Sequence, residues 1–115
     1  MWILIFWLIV GHAVADFSLQ GEAMAKFKNR HNRPDHIPPG QKLTPCWPYW
    51  LSAHALEHGA CVALATGSVV LGLCETLSHW VIDFGKCENW YGPHVDQGLH
   101  LVCKLTWVLI VLIGY

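Results

Sequence analysis

Four times along this chain, an imidazole or carboxylate inside an otherwise apolar run is followed four residues later by a second one: His12 and Asp16, His54 and His58, His79 and Asp83, Asp96 and His100. Residues four apart share one face of an α-helix. Each pair therefore presents two nitrogen or oxygen donors from one helix toward a common point, which is how metal sites are built inside helical bundles. Ionisable groups within apolar spans are costly unless paired, hydrated or metal-bound. The pattern predicts helices that turn these faces toward one another.

The solvent for such helices follows from composition. Of 115 residues, 54% are apolar and 13% charged, which places the chain among membrane proteins rather than ordinary soluble domains. The net charge of −1 hides an asymmetry, because Lys26, Lys28, Arg30, Arg33 and Lys42 are five of the seven basic residues. Such a cluster reads as a polar cytoplasmic loop, and so few cations leave no footprint for nucleic acid. The expected partner is membrane lipid, with a lipid-linked substrate. Five cysteines without a Cys-x-x-Cys spacing suggest neither a disulfide framework nor a zinc ribbon. Most read as small core residues. Trp2 to Val10 is apolar and Ala13-Val14-Ala15 resembles a signal-peptidase site. With no Lys or Arg ahead of it, and with His12 lost from Asp16 on cleavage, the stretch reads as a retained first span.

A membrane helix needs ~20 largely apolar residues. The predicted fold is all-α: a single transmembrane domain forming an antiparallel four-helix bundle, with helices over about 2–26, 49–65, 69–86 and 94–113. A basic loop at about 28–48 carries Arg33-Pro34, Pro38-Pro39-Gly40 and Thr44-Pro45, which break helix. Thr66-Gly67-Ser68 is a tight turn, and Pro93 opens the last helix. The second and third spans are short for a bilayer. Alternating direction sets Met1, Gly67 and Tyr115 on one face and both polar connections on the other. At 1.5 Å per residue, His12, His58, His79 and His100 then lie roughly 14 to 23 Å from the first face, with Asp16, His54, Asp83 and Asp96 nearer the loop face. All four pairs fall in one layer, nearer the cytoplasm by the positive-inside bias, with both termini outside.

Any one pair serves equally as a buried polar network that fixes helix register; four at one depth favour a metal site, with nitrogen and carboxylate donors suited to zinc, iron or manganese. His54-Ala-Leu-Glu57-His58 also matches the H-x-x-E-H arrangement in which two histidines bind zinc and the glutamate is a general base, a match too short to assign a peptidase. Glu75 and Lys104 lie deeper and read as an ion pair beneath the site. Gln20 and Gln97 are either hydrogen-bond partners that orient a ligand or solvated helix ends. Lys86 binds an anionic head group or snorkels to the interface. Trp47, Tyr49, Trp50, Trp90 and Tyr91 read as an interfacial aromatic belt, and His31, His36 and His94 as surface residues.

The pattern Gly11-His12-x-x-x-Asp16-Phe17-x-x-Gln20, His54-x-x-x-His58-Gly59, His79-x-x-x-Asp83-x-x-Lys86 and Asp96-Gln97-x-x-His100 resembles a family of small bacterial and phage membrane proteins catalogued as domain of unknown function 3307. The likeness covers nearly the whole chain and implies a bacterial inner-membrane location, but no reaction. Glu57 departs from the family pattern. The arrangement is similar, more distantly, to membrane-bound metal-dependent hydrolases with His and Asp pairs on several spans. The leading expectation is a hydrolase holding one or two divalent transition-metal ions, acting on a lipid-linked or membrane-proximal phosphoester or amide. His12, Asp16, His54, His58, His79, Asp83, Asp96 and His100 form the pool of ligands and acid/base groups. Asp16, Asp83 and Asp96 are candidate bases, with Glu57 an outsider. The rivals are a metal or proton transporter, a b-type haem protein with two axial histidines such as His54 and His79, and a metal-free structural or phage exclusion protein.

Overall fold

Long apolar runs punctuated by Pro and Gly fold here into helices. The computed structural model describes residues 1–114, so the expected position of Tyr115 lies outside the described residues. In chain order α1 spans Trp2–Ala13 and runs straight into a π-helical segment, Val14–Leu19; α2 spans Glu22–Phe27, α3 Trp47–Thr66, α4 Val69–Cys87 and α5 Pro93–Leu112. There is no strand among the described residues. Two helical stretches, Trp2–Leu19 and Pro93–Leu112, are long and apolar enough to cross a membrane. α3 and α4 are of similar length.

The first helix departs from the sequence expectation of one continuous element over 2–26. Gln20 turns to an extended conformation (ψ 90°) and Gly21 follows at ψ 165°, so α2 starts afresh. The π segment widens the turn that holds Asp16, a device frequent at functional sites. The second helix starts earlier than expected, at Trp47, because Pro48 occupies its first turn, where no intrahelical N–H is needed.

Gly67, left-handed at φ 72°, ends α3, and Ser68 caps α4 by accepting from the Leu71 N–H at 3.3 Å. The two helices pack closely because each lacks a side chain where they cross. A Cβ on Gly59 would stand 2.6 Å from the Gly72 carbonyl, and one on Gly72 would stand 2.7 Å from the Gly59 carbonyl. α1 packs on α3, α5 packs on α4, and α5 also meets α1. These four helices enclose one interior.

That interior is inverted relative to a soluble protein. Outward positions carry Trp2, Phe6, Phe17, Leu64, Val69, Leu77 and Leu109, each more than half exposed. Among the described residues, nine buried ones are polar or charged against eight that are hydrophobic. The interior follows four-residue ladders on each long helix: Leu8, His12 and Asp16 on the first; Val62, His58 and His54 on α3; Leu71, Glu75, His79 and Asp83 on α4; Val108, Lys104, His100 and Asp96 on α5. Leu8, Val62, Leu71 and Val108 meet in an apolar cluster at one end. The polar rungs lie beyond it, toward the loop.

Candidate metal centre and its approach

The four pairs, read from sequence as separate helical faces, converge on two carboxylates. Asp16 Oδ1 lies 3.0 Å from His58 Nε2 and 3.4 Å from His54 Nε2, while its Oδ2 is 3.3 Å from His12 Nε2. Asp83 Oδ1 lies 3.1 Å from His100 Nε2 and 3.6 Å from His79 Nε2. Its Oδ2 lies 3.5 Å from His54 Nε2. His54 thus stands between the carboxylates, and Asp96 Oδ1 closes the group 3.5 Å from His100. Imidazole rings stack through the centre, with centroids 3.6 Å apart for His58 and His79 and 4.1 Å for His79 and His100.

Hydrogen bonding leaves this layer under-satisfied. Neither ring nitrogen of His54 or His79 has a hydrogen-bond partner, although both residues are fully buried. Orphaned buried polar atoms are expensive, and a cation would satisfy them. Asp16, His54, His58 and His79 each offer one donor atom within 4.8 Å of the others. Imidazole and carboxylate bind zinc at about 2.0–2.2 Å, in a tetrahedron whose donors stand roughly 3.4 Å apart. The separations of 3.0 and 3.4 Å about Asp16 are close to that value, and the whole set lies within 4.8 Å, so these residues could hold a divalent ion. Two further sets, Glu75 with His79 and His100, and Asp83 with Asp96 and His100, meet the same spacing. The type of ion is open.

The expected partners behave differently from one another. Gln97 joins three ligand candidates: its Oε1 lies 3.1 Å from His12 Nε2, and its amide donates to Asp16 Oδ2 at 3.1 Å and Asp96 Oδ2 at 3.4 Å. Gln20 donates instead to the Asp16 backbone carbonyl at 3.3 Å, because the helix has ended before it and its stripe is broken. Lys86 reaches Asp96 Oδ2 at 3.3 Å. Glu57 stays at the edge, 3.9 Å from His54 Nδ1 with its side chain 31% exposed. Glu75 pairs with Lys104 as expected and also accepts from the Trp107 indole at 2.5 Å. It approaches His79 Nδ1 at 3.5 Å.

Lys28 corrects the sequence reading. Its sequence context places it with the loop cations, yet its side chain is 8% exposed and its ammonium donates to Asp83 Oδ2 at 2.5 Å. The loop is folded to deliver it. Arg30 forks onto both oxygens of Glu88, just past α4, at 2.5 and 2.9 Å, and His31 adds a contact at 3.2 Å. Lys26 pairs with Asp35 at 3.0 Å. The guanidinium holds the Glu88 carboxyl below the usual carboxylate range, and Glu88 raises Arg30 in turn. Tyr91 reads from sequence as interfacial; its hydroxyl donates to the Ile82 carbonyl at 2.5 Å, tying the connection back onto α4.

A small cavity of about 100 Å³ opens on this end of the molecule, lined by the three aspartates, Lys28, Lys86, Gln20, Gln97 and Phe17. The model of the family described as Protein of unknown function (DUF3307) matches residues 4–114. The chain belongs to that family. Among curated proteins and solved structures, none matches it significantly. For this DUF3307 chain, the chemistry therefore has to be read from the His and Asp layer and its approach.

Proposed function

We propose that the chain is a four-helix membrane protein of the bacterial inner membrane, in which α3 and α4 cross beside α1 and α5, and that its interior holds a divalent metal used to hydrolyse a membrane-borne phosphoester or amide. The supporting observation is the inverted interior: outward apolar side chains around a layer of five histidines and three aspartates, in which His54, His58, His79, His100, Asp83 and Asp96 are buried on α3, α4 and α5 and the partly exposed His12 and Asp16 complete it from the first helix. Lipid contact accounts for the outer surface. The basic loop over 28–46 points to a cytoplasmic loop face, with both termini outside.

When bound, the metal would polarise the substrate and lower the pKa of a water molecule. Asp16, His54, His58 and His79 would hold it. Asp83, anchored by Lys28, braces His54, His79 and His100. Asp96 borders the cavity, and its Oδ1 has no hydrogen-bond partner, which suits it to take a proton. The apolar cluster of Leu8, Val62, Leu71 and Val108 closes the far end. One-sided access favours an enzyme over a transporter, whose site must open to both faces.

The test is metal content and turnover measured together. Purified without affinity-tag metal, the protein should carry a transition metal, and His58→Ala should lose it together with thermal stability, because binding is coupled to the folded bundle. Asp96→Asn should keep the metal while losing cleavage across a panel of lipid phosphates and lipid-linked amides. Metal transport into proteoliposomes by a wild-type protein that cleaves nothing on the panel would replace this reading with the transporter.

A further inference from the structure

The cavity at the loop end extends the proposed hydrolase to its substrate class, and rests on that reading. At about 100 Å³ it is well below the roughly 300–1,000 Å³ of pockets that enclose drug-sized molecules. It suits a compact oxyanion. Phe17, 78% exposed, stands at its rim among lipid-facing residues, so a ligand entering there can keep an apolar tail outside.

The charges around the cavity are arranged so that an anion is refused until a cation arrives. Three carboxylates and two ammonium groups line it, a formal sum of −1. Lys28 is held by Asp83 at 2.5 Å and Lys86 by Asp96 at 3.3 Å. Asp16 is met by the neutral Gln97 amide and by imidazoles. One divalent cation on the Asp16 side turns the sum to +1, and the field at a confined site then favours an anion. Asp83, Asp96 and His100 form a further donor set, and Asp96 Oδ1 is unpartnered although the residue is 1% exposed.

We propose that this cavity is a metal-dependent phosphate subsite, in which Lys28, Lys86 and the Gln97 amide receive the phosphate group of a membrane-borne phosphoester. The assignment selects phosphoesters over amides, since an amide has no charge for two lysines to answer.

The experiment separates this subsite from the metal site. Protein is loaded with zinc(II) and, separately, with manganese(II), and bound metal is measured first. Binding of inorganic phosphate, and of phosphatidate in nanodiscs of neutral lipid, is then measured on loaded and stripped protein. Loaded wild type should bind phosphate about tenfold or more tightly than stripped protein, and loaded Lys86→Met, truncated at a side chain 38% exposed, should lose about tenfold. Lys28→Met should show the same loss; if it fails to fold, Lys86→Met decides. Tighter binding of phosphatidate than of phosphate supports a lipid head group as the source, and equal binding supports a free phosphate. Loaded protein that binds neither, stripped protein that binds equally well, or a folded lysine variant that binds like wild type overturns the subsite while leaving the metal site standing. Failure to take up metal overturns both.

Discussion

Removing either member of the Glu75–Lys104 pair should destabilise the protein more than removing both. The side chains are 0% and 5% exposed and lie one rung below the histidines, against the apolar cluster. Breaking such a pair strands a buried charge and costs about 3–5 kcal/mol, so Lys104→Met and Glu75→Leu should each fall in that range. Together the singles would sum to roughly 6–10 kcal/mol if they were independent. In Glu75→Leu with Lys104→Met no charge remains, and the main residual defect is the Trp107 indole N–H, which has lost its acceptor. An unpaired buried donor costs about 1–3 kcal/mol. The double variant should therefore be more stable than either single, by about 2 kcal/mol when midpoints of the ranges are compared. Reversible unfolding in mixed detergent micelles, titrated with dodecyl sulfate, measures all four proteins on one scale. Singles within about 1 kcal/mol of wild type, or a double variant that costs the sum of its singles, would show that this pair is solvated and refute the reasoning.

A reporter fused to the C-terminus should be active outside the cytoplasm and one inserted near Gly40 should be active inside, because the basic residues cluster on the loop side; the reverse pattern would invert the topology. The Glu88 carboxyl is held below its usual range by Arg30, so the loop clamp is fully present above the ordinary glutamate range and is lost as pH falls through the lowered value. Hydrogen-exchange protection over residues 28–46, corrected for the intrinsic pH dependence of exchange, should be high at neutral pH and fall in acid, and Arg30→Gln should lower it already at neutral pH. Gly59→Val should force α3 and α4 apart at the carbonyl of Gly72 and cost about 1–3 kcal/mol, read from the same unfolding titration.

Residues that act through helical periodicity were legible, and those that act through chain return were not. His54 with His58 and His79 with Asp83 announce themselves because the interior face of a helix recurs at the spacing the sequence shows. The Glu75–Lys104 pair follows by extending the same ladders. Lys28 follows no period: it lies past the end of α2 and meets a carboxylate 55 residues away, at a position set by the fork of Arg30 on Glu88. In sequence it is one cation among five. Gln97 was singled out as the neighbour of Asp96, but its bridge to His12 and Asp16 depends on how closely α5 approaches the π segment. The break at Gln20 was hidden because Phe17 to Phe27 keeps enough helical composition to disguise it, and Gly21 alone is a weak stop signal.

The π segment also has a consequence for how the gene can vary. Its hydrogen bonds run from residue i to i+5, so this stretch stores one residue more than an α turn would hold. Elsewhere in these helices, deleting one residue rotates everything beyond it by about 100° and turns an inward ladder outward. Within Val14–Leu19, the loss of an outward residue such as Ser18 lets the coil tighten to α while the flanking rungs keep their phase. Length changes in descendants of this chain should therefore collect at this turn, next to Asp16, and the resulting shorter forms would carry a narrower rim where Phe17 now stands.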